Sequence, residues 1–457
     1  MLHALDRYCL DPGYATVVHP GGGECDDASF CEIALYLPCA IGLLYSLVLI
    51  HRLSRPEAWQ PVRVSESPSV GRPARAAEFL PRTRPVVPPI HHSVTYFLDD
   101  QAYKDIQDGG LVEHWYGRFR NPTVDMVARE IADLEGGGAG FMTSSGMGAI
   151  ATTLLTLLRA GDRVVVARQV YGDTRDLLVR DLPAWGVDVR WVDAVDLDAW
   201  RREIAGGPAR VVYAETLSNP QLELTDLPAL AELTHAARAR LVIDNTFATP
   251  YVVQPLRLGA DVVVHSATKF LNGHSDAIAG VVVADDALVT EVQRRVITLG
   301  TSLGPYEAYL VWRGLQTFDV RMARQTETAQ SLATALGRRD DVSAVRHPSL
   351  PDYSRADVAA RVVRPGGGGG AMVTITVDGG DERAHDVVRN LQIGCEATSL
   401  GGVETLVSTP FNSSHFSLTP EERRAARIDD GMIRISCGLE PADALIADFA
   451  RALDLTQ

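Results

Sequence analysis

Short runs of valine and isoleucine, separated by amphipathic stretches, constrain the fold of this chain more than any other feature of its sequence. The clearest runs span 163–167, 188–192, 210–213, 241–243, 261–264 and 279–283. Amphipathic stretches typical of helices accompany them at 174–182, 227–237 and 287–296. Continuous apolar strands joined by helices indicate a mostly parallel sheet with helices on both faces. We therefore predict an α/β fold, with a ligand at the carboxyl ends of the strands.

The last third of the chain has a different pattern, which predicts a second, smaller domain. A long helix at 320–336 is followed by strands at 372–377, 403–407 and 432–435 and by helices at 383–391 and 441–453. This mixture is typical of an α+β arrangement. Because 457 residues are too many for one simple core, we expect an N-terminal arm at 1–123, a large domain at 124–316 and a smaller domain at 317–457.

Composition narrows the functional class. Hydrophobic residues make up 46% of the chain and charged residues 22%, as in globular proteins. The net charge of −15 argues against a nucleic-acid partner, because a nucleic-acid surface requires an excess of cations. The six cysteines are irregularly spaced and form no C-x-x-C pair. We therefore expect reduced thiols, no metal site and a cytoplasmic protein.

Two of the predicted strands end close to charged side chains that suit a cofactor. Lys269 follows one strand and has the hydroxyls of Ser266 and Thr268 beside it, which suit a phosphate. A lone lysine after a strand is more often a solvated charge, but an amine shielded from water becomes a nucleophile. Asp244 ends another strand, where a buried carboxylate needs a partner. That partner is either a protonated ring nitrogen or, in the alternative, the start of the next helix.

Three further stretches indicate binding of a phosphate, an aromatic ring and a carboxylate. The glycine-rich turn at 144–148, with Gly146 and Met147, lies between a strand and a helix, where free N–H groups bind phosphate. Tyr171 follows a strand and could stack on a ring and transfer a proton, or be a core tyrosine. Arg434 lies in an apolar strand and either grips a substrate carboxylate or forms a structural salt bridge.

Taken together, these stretches resemble the Cys/Met metabolism family of pyridoxal-phosphate (PLP) enzymes. This family includes cystathionine γ-synthase, cystathionine γ-lyase, methionine γ-lyase and the O-acylhomoserine sulfhydrylases. The similarity runs from about Pro88 to the end of the chain, in the same order and spacing. The matching blocks are PPI (88–90), YGRFRNPT (116–123), SSGMGAI (144–150), YGDT (171–174), ETLSNP (215–220), IDNTFATP (243–250), HSATKFLNGHSD (265–276), RGLQT (313–317), SLGGVETL (399–406) and IRISCGLE (433–440).

The resemblance implies a PLP-dependent transferase of fold type I and a role for each matching residue. Lys269 matches the Schiff-base lysine, Asp244 the partner of the pyridine nitrogen, and Tyr171 the stacking tyrosine; these three are the expected catalytic residues. Further cofactor contacts are expected at Gly146, Met147, Ser266, Thr268 and Asn219, and at Tyr116 and Arg118, which reach into a neighbouring subunit. Substrate contacts are expected at Arg434, Ser399, Asn219, Tyr116 and Thr398. The family also implies a homodimer or homotetramer with shared active sites.

Departures from the family pattern fall on the substrate side. Thr398 stands where transsulfuration members often carry glutamate, and Asp173 stands where they carry glycine or cysteine. The arginine that follows the family's tyrosine has no match, because Arg175 comes one place early. Residues 413–415 replace a Met-Thr-His block. The cofactor is therefore expected to be conventional, whereas the usual substrates are in doubt.

The N-terminus contains an atypical segment. Residues 12–19 resemble the opening of the family, so 27–84 are interpreted as an insertion in the N-terminal arm. The uncharged run at 33–50 is at the lower limit for a membrane span and contains Pro38 and Gly42. We expect the insertion to line the substrate entrance or an oligomer interface. A gene-model artefact and membrane attachment are the alternatives, and a membrane is the least expected partner.

The implied activity is γ-replacement or γ-elimination on a γ-substituted amino acid, through a β,γ-unsaturated intermediate. Candidate substrates are homoserine esters, methionine, cystathionine and related sulfur compounds, and a specialised biosynthetic role is plausible. Another PLP reaction, such as β-elimination or transamination, is the first alternative. A non-catalytic, membrane-tethered binding protein is the second, although a scaffold has no need of Lys269, Asp244 and Arg434 together.

Overall fold

The structure is a computed structural model that describes residues 85–108, 114–413, 416 and 418–457. Its helices are α1 (Asp100–Gln107), α2 (Pro122–Glu135), α3 (Gly146–Leu157), α4 (Gly172–Asp176), α5 (Leu182–Ala184), α6 (Leu197–Ala205), α7 (Leu227–Ala236), α8 (Thr249–Val252), α9 (Asp286–Leu299), α10 (Pro305–Leu315), α11 (Phe318–Leu336), α12 (Ala356–Val362), α13 (Gly380–Asn390), α14 (Pro420–Ala425) and α15 (Ala442–Leu455). A π-helical segment, Leu177–Asp181, joins α4 to α5, and 3-10 turns occupy Pro255–Leu258 and Pro410–Asn412.

The strands form two sheets. They are β1 (Ala139–Thr143), β2 (Arg163–Ala167), β3 (Asp188–Val192), β4 (Ala209–Glu215), β5 (Arg240–Asp244), β6 (Val262–Ser266), β7 (Gly280–Ala284), β8 (Val342–Arg346), β9 (Met372–Val377), β10 (Cys395–Glu396), β11 (Leu406–Ser408) and β12 (Met432–Ser436). The first sheet has seven strands in the order β1-β7-β6-β5-β4-β2-β3, and the second has five in the order β10-β11-β12-β9-β8.

The large sheet is mostly parallel, as the valine-rich runs predict. Strands β2 to β6 pair in parallel, and only β7 runs antiparallel to its neighbours β6 and β1. Three valines in each of β2, β6 and β7 have no exposed surface. Each buried valine side chain stabilises the fold by roughly 1.5–3 kcal/mol. Because helices α2, α3, α6 and α7 pack on these strands, the sheet is covered and continuous valine is favoured over alternation.

The small sheet has a separate core. The buried residues Val373, Ile375, Ile433 and Ile435 come from β9 and β12 and pack with Phe449 of α15. Its strands are antiparallel except for the β10–β11 pair. The α/β fold with a smaller α+β part is therefore confirmed, while the boundaries of the arm and the two domains stay predictions.

One predicted strand is wrong in its bounds. The sequence favoured a strand at 403–407, but residues 401–404 form bends and the strand is Leu406–Ser408. Gly401 has φ +84° there, and its backbone packs closely on the backbone of Phe270. A side chain would clash at that point, so the chain turns toward the end of the large sheet before it enters β11.

The structure leaves two predictions about unusual segments open. The insertion at 27–84 and its apolar run at 33–50 lie outside the described residues, as do Ser414 and His415. Among the residues that are described, no helix combines the length and the apolar character needed to cross a membrane.

Candidate active site

Polar side chains meet at the carboxyl edge of the large sheet. Strands β4, β5 and β6 end at Glu215, Asp244 and Ser266, and Glu215 lies beside Asp244 in the strand register. The hydroxyl of Thr246 donates to Oδ1 of Asp244 at 2.5 Å and accepts from the backbone N–H of Ser266 at 2.9 Å. Parallel strands therefore bring residues that are far apart in sequence into one hydrogen-bonded group.

The two carboxyl groups at this edge are buried, and neither forms an ion pair with another of the described residues. Burial raises the pKa of Asp244. Burial and the neighbouring charge of Asp244 raise the pKa of Glu215 well above its usual range. A protonated ring nitrogen would supply the missing cation and favour an ionised Asp244. Glu215 opens the matching block ETLSNP (215–220) but is not among the site residues expected from the sequence.

Lys269 lies in the turn after β6, with its amine directed into the site. Its Nζ donates to Oγ of Ser399 at 2.9 Å, across 130 residues of sequence. Burial, with a smaller contribution from the charge of Arg434, lowers the pKa of Lys269 to about 8. The amine is therefore neutral in a useful fraction of molecules near neutral pH, which nucleophilic attack on an aldehyde requires.

Arg434 is a buried cation with neutral partners. It is 5% exposed, and its guanidinium donates to Oδ1 of Asn219 at 3.3 Å and to the carbonyl of Ser399 at 3.2 Å. Burial lowers its pKa to about 10. No carboxylate of the described residues forms an ion pair with Arg434, so the structural salt bridge considered from sequence is not found there. A buried guanidinium of this kind can bind a carboxylate from outside the chain.

Tyr171 lies at the start of α4, beside the same group. Its backbone N–H donates to Oε1 of Glu215 at 2.6 Å, which fixes its position over the strand ends. Its hydroxyl donates to Oδ2 of Asp173 at 2.7 Å. Burial and the carboxylate of Asp173 raise the pKa of Tyr171, so the phenol stays protonated. The ring is 38% exposed, which is compatible with a stacking surface and not with a core tyrosine.

The expected phosphate cradle is formed by the N-terminus of α3 and the end of β6. Ser145 caps α3, and its side chain accepts from the N–H of Gly148 at 2.9 Å. A Cβ on Gly146 would lie 2.7 Å from Cβ of Ser266, so glycine lets these two elements approach. The hydroxyl of Thr268 bonds to the carbonyl and N–H of Ala279. The hydroxyl proton of Thr268 is therefore already donated to a carbonyl of the chain.

Other predicted site residues lie further from this group or at its margin. Met147 accepts a weak bond from the Thr174 hydroxyl at 3.8 Å. Arg118 donates to the carbonyl of Ile297 at 2.6 Å and stacks on Tyr116, whose ring is exposed. Thr398 is exposed beside Ser399. The structure thus brings Lys269 together with Ser399, and Arg434 with Asn219, whereas the contacts of Arg118 are with Ile297 and Tyr116.

The donor set fits PLP. A partly neutral amine suits its aldehyde, a carboxylate pair short of positive charge suits its ring nitrogen, and a capped helix N-terminus suits its phosphate. The buried guanidinium of Arg434 is left for the carboxylate of an amino acid.

Comparison with known sequences gives consistent matches. The family model described as "Cys/Met metabolism PLP-dependent enzyme" matches residues 75–454. An L-methionine gamma-lyase of Fusobacterium nucleatum subsp. polymorphum is 40% identical over 375 residues, which are 80% of this chain and 93% of that protein. An O-succinylhomoserine sulfhydrylase of Mycobacterium tuberculosis is 37% identical over 364 residues, covering 78% and 89% of the two chains.

Solved structures give the same result. A cystathionine gamma synthase from Xanthomonas oryzae pv. oryzae, solved in complex with aminoacrylate and cysteine, superposes with a TM-score of 0.76 at 35% identity. That match covers 81% of this chain and 93% of the other.

Proposed function

The chain belongs to the Cys/Met metabolism family of PLP-dependent enzymes, and from this premise we propose that it catalyses γ-elimination or γ-replacement on a γ-substituted amino acid. The expected substrates are homoserine esters, methionine, cystathionine or related sulfur compounds. Lys269, Tyr171 and Asp244 are proposed as its catalytic residues, and Arg434 as the residue that binds the substrate carboxylate.

The family, the use of PLP and action at the γ-position of amino acids, all expected from the sequence, are confirmed by these relatives. The relatives include a lyase, a sulfhydrylase and a synthase, so the family gives the class of reaction and not the substrate.

The observation that carries the proposal is the position of Arg434 relative to Lys269. Both side chains bond to Ser399, Lys269 to its hydroxyl and Arg434 to its carbonyl. A substrate whose carboxylate binds Arg434 would therefore present its α-carbon to the Lys269 amine. Asn219 bonds to the guanidinium from the other side and would restrict its rotation.

The proposed residue roles follow from these positions. PLP, when bound, supplies an electron sink for the negative charge that develops when the substrate loses a proton from carbon. Lys269, with a pKa of about 8, can accept the proton of Cα and then move a proton at Cβ. Tyr171 keeps its phenolic proton near neutral pH and can donate it to the group that leaves Cγ. Asp244 would hold the ring nitrogen and keep it protonated.

A substrate scan tests the proposal. Purified enzyme with PLP would be given methionine, an O-acylhomoserine, cystathionine and, as a β-substituted control, cysteine, with products followed by mass spectrometry. We expect loss of the γ-substituent, giving 2-oxobutanoate and ammonia in elimination or a new thioether in the presence of a thiol. Turnover of cysteine alone would indicate β-elimination, and accumulation of pyridoxamine phosphate would indicate transamination; either result would contradict the proposal.

A further inference from the structure

Asp173 is the departure from the family pattern that lies closest to the proposed chemistry. Its Oδ2 accepts a hydrogen bond from the Tyr171 hydroxyl at 2.7 Å. Under the proposed function, this hydroxyl lies beside the group that leaves Cγ. Members of the family that carry glycine or cysteine at this position have no carboxylate there. A negative charge is thus placed where the variable part of the substrate is expected.

The carboxylate of Asp173 has no cation of its own. Among the described residues it forms no ion pair, although Arg175 is only two positions away. Arg175 instead bonds to Glu422 at 2.8 Å. The Tyr171 phenol donates a hydrogen bond to one oxygen of Asp173. The side chain of Asp173 is otherwise exposed.

The site therefore carries opposite charges at its two ends. Arg434 provides a buried cation where the α-carboxylate is expected, and Asp173 provides an exposed anion near the Tyr171 hydroxyl. An extended substrate with a carboxylate at one end and a positive charge at the other would meet an opposite charge at each end. A second carboxylate beyond Cγ would be repelled by Asp173.

We propose that Asp173 selects γ-substituents, or incoming thiols, that carry an ammonium group beyond the sulfur or oxygen on Cγ. This inference rests on the proposed function and names its substrate class. In elimination the Cγ–S bond breaks and the sulfur leaves as a thiol with a proton, while one water molecule hydrolyses the remaining C–N bond, so that the carbon skeleton is released as 2-oxobutanoate and ammonia. The ammonium group takes no part in bond breaking and acts only in recognition.

A series of three substrates of similar size tests this selectivity. S-(2-aminoethyl)-, S-(2-hydroxyethyl)- and S-(carboxymethyl)-homocysteine carry a positive, a neutral and a negative end group. The release of 2-oxobutanoate by the PLP-loaded enzyme gives kcat/KM for each. If the enzyme carries out replacement, cysteamine, 2-mercaptoethanol and mercaptoacetate are compared as nucleophiles with a homoserine ester. We expect the positive compound to exceed the neutral one, and the neutral one the negative, each by about fivefold to tenfold.

The variants remove the charge while keeping the shape. The three compounds differ in intrinsic reactivity, so the decisive quantity is the change in the ratios of their kcat/KM values when Asp173 is replaced. The variant is Asp173→Asn, which keeps an oxygen acceptor for the Tyr171 hydroxyl. We expect the ratio of positive to negative compounds to fall by at least about tenfold. Asp198→Asn is the matched control, because Asp198 is exposed on α6 and pairs with Arg201, which is not among the site residues. Its ratios should equal those of the unmodified enzyme.

Each outcome has one meaning. Unchanged ratios in Asp173→Asn, or a preference of the unmodified enzyme for the negative compound, would overturn the role of Asp173. Failure to cleave or form any of the three thioethers would contradict the proposed function itself. If Asp173→Asn does not fold, Asp173→Gly makes the same comparison, because it introduces a residue common in the family. A second test measures the same ratios at 1 M salt, where the Debye length falls to about 3 Å and the selectivity should be lost.

Discussion

Lys269 is the residue on which the proposed chemistry depends most. Burial and the charge of Arg434 lower the pKa of its amine to about 8, and the Ser399 hydroxyl holds Nζ at 2.9 Å. An exposed lysine would be protonated almost completely at neutral pH and would be a poor nucleophile. The same environment that makes Lys269 reactive toward an aldehyde also suits it to proton transfer.

Lys269→Ala should abolish covalent attachment of PLP. The chain contains only one other lysine, Lys104, which is exposed on α1. Lys104→Ala is therefore a complete control. After borohydride reduction and peptide mass spectrometry, we expect the phosphopyridoxyl mass on Lys269 in the unmodified enzyme and in Lys104→Ala. A label that is found on Lys104, or that persists in Lys269→Ala, would show that the assignment is wrong.

The rate at which the apoenzyme attaches PLP should depend on pH in a defined direction. Only the neutral amine attacks, so a lowered pKa increases the reactive fraction below the ordinary lysine value of 10.5. We expect the rate to rise with pH and to level off above about 8. Arg434→Gln removes a positive charge that disfavours protonation of Lys269, so the midpoint should move to higher pH. A midpoint near 10.5 in the unmodified enzyme would contradict the described environment.

At the scale of elements, the site depends on a close approach between the start of α3 and the end of β6. A Cβ on Gly146 would lie 2.7 Å from Cβ of Ser266, which real side chains do not tolerate without a shift. Moving either element would displace N–H groups of the helix N-terminus, which bind phosphate most strongly when they are pre-positioned.

Gly146→Val should therefore lower both stability and the retention of PLP. We expect a loss of about 1–3 kcal/mol in the free energy of unfolding, as for other overpacked positions, and weaker binding in equilibrium dialysis. Gly366→Val is the control, since valine is strained at its φ of +80°, but there is open space around Gly366. It should lose stability and retain PLP. Equal loss of PLP in both variants would argue against the cradle.

The strands and their ends were largely predictable from sequence, whereas the contacts between distant residues were not. The predicted strands at 163–167 and 188–192 agree with β2 and β3 residue for residue. Continuous buried valine explains β2, whereas β3 is an edge strand in which only Val192 is buried. Strand β4 extends to Glu215, two residues beyond the predicted run at 210–213. The bonds from Lys269 to Ser399 and from Arg434 to Asn219 span 130 and 215 residues, and they depend on tertiary packing that no local pattern encodes.

At the scale of the whole molecule, Tyr116 and Arg118 are the residues expected to contribute to a neighbouring subunit. Arg118 donates to the carbonyl of Ile297 on α9 and stacks on Phe119, and its guanidinium lies 5.5 Å from the Tyr116 ring centroid. The resemblance implied that this pair completes the cofactor site of a neighbouring subunit, and that assignment stays a prediction.

The active enzyme should be at least a homodimer, and Arg118→Ala should weaken PLP binding by about tenfold or more, as expected for loss of a charged hydrogen bond to phosphate. Native mass spectrometry and analytical ultracentrifugation give the oligomeric state, and dialysis gives the affinity for PLP. Arg129→Ala, on α2, serves as a charge-matched control. A fully active monomer, or unchanged affinity in Arg118→Ala, would contradict the shared site.

The most direct test of the central claim, chemistry at Cγ, is the position of deuterium in the product of turnover in heavy water. Elimination from methionine or from S-(2-hydroxyethyl)-homocysteine removes the γ-substituent, after which the terminal carbon must take up a proton from solvent or from a solvent-exchanged group. We predict 2-oxobutanoate with one deuterium on its terminal methyl carbon, a position that does not exchange with solvent by itself. In γ-replacement, the thioether product should carry deuterium at Cα and Cβ. A terminal methyl without deuterium, or turnover confined to cysteine with pyruvate as the product, would contradict the account.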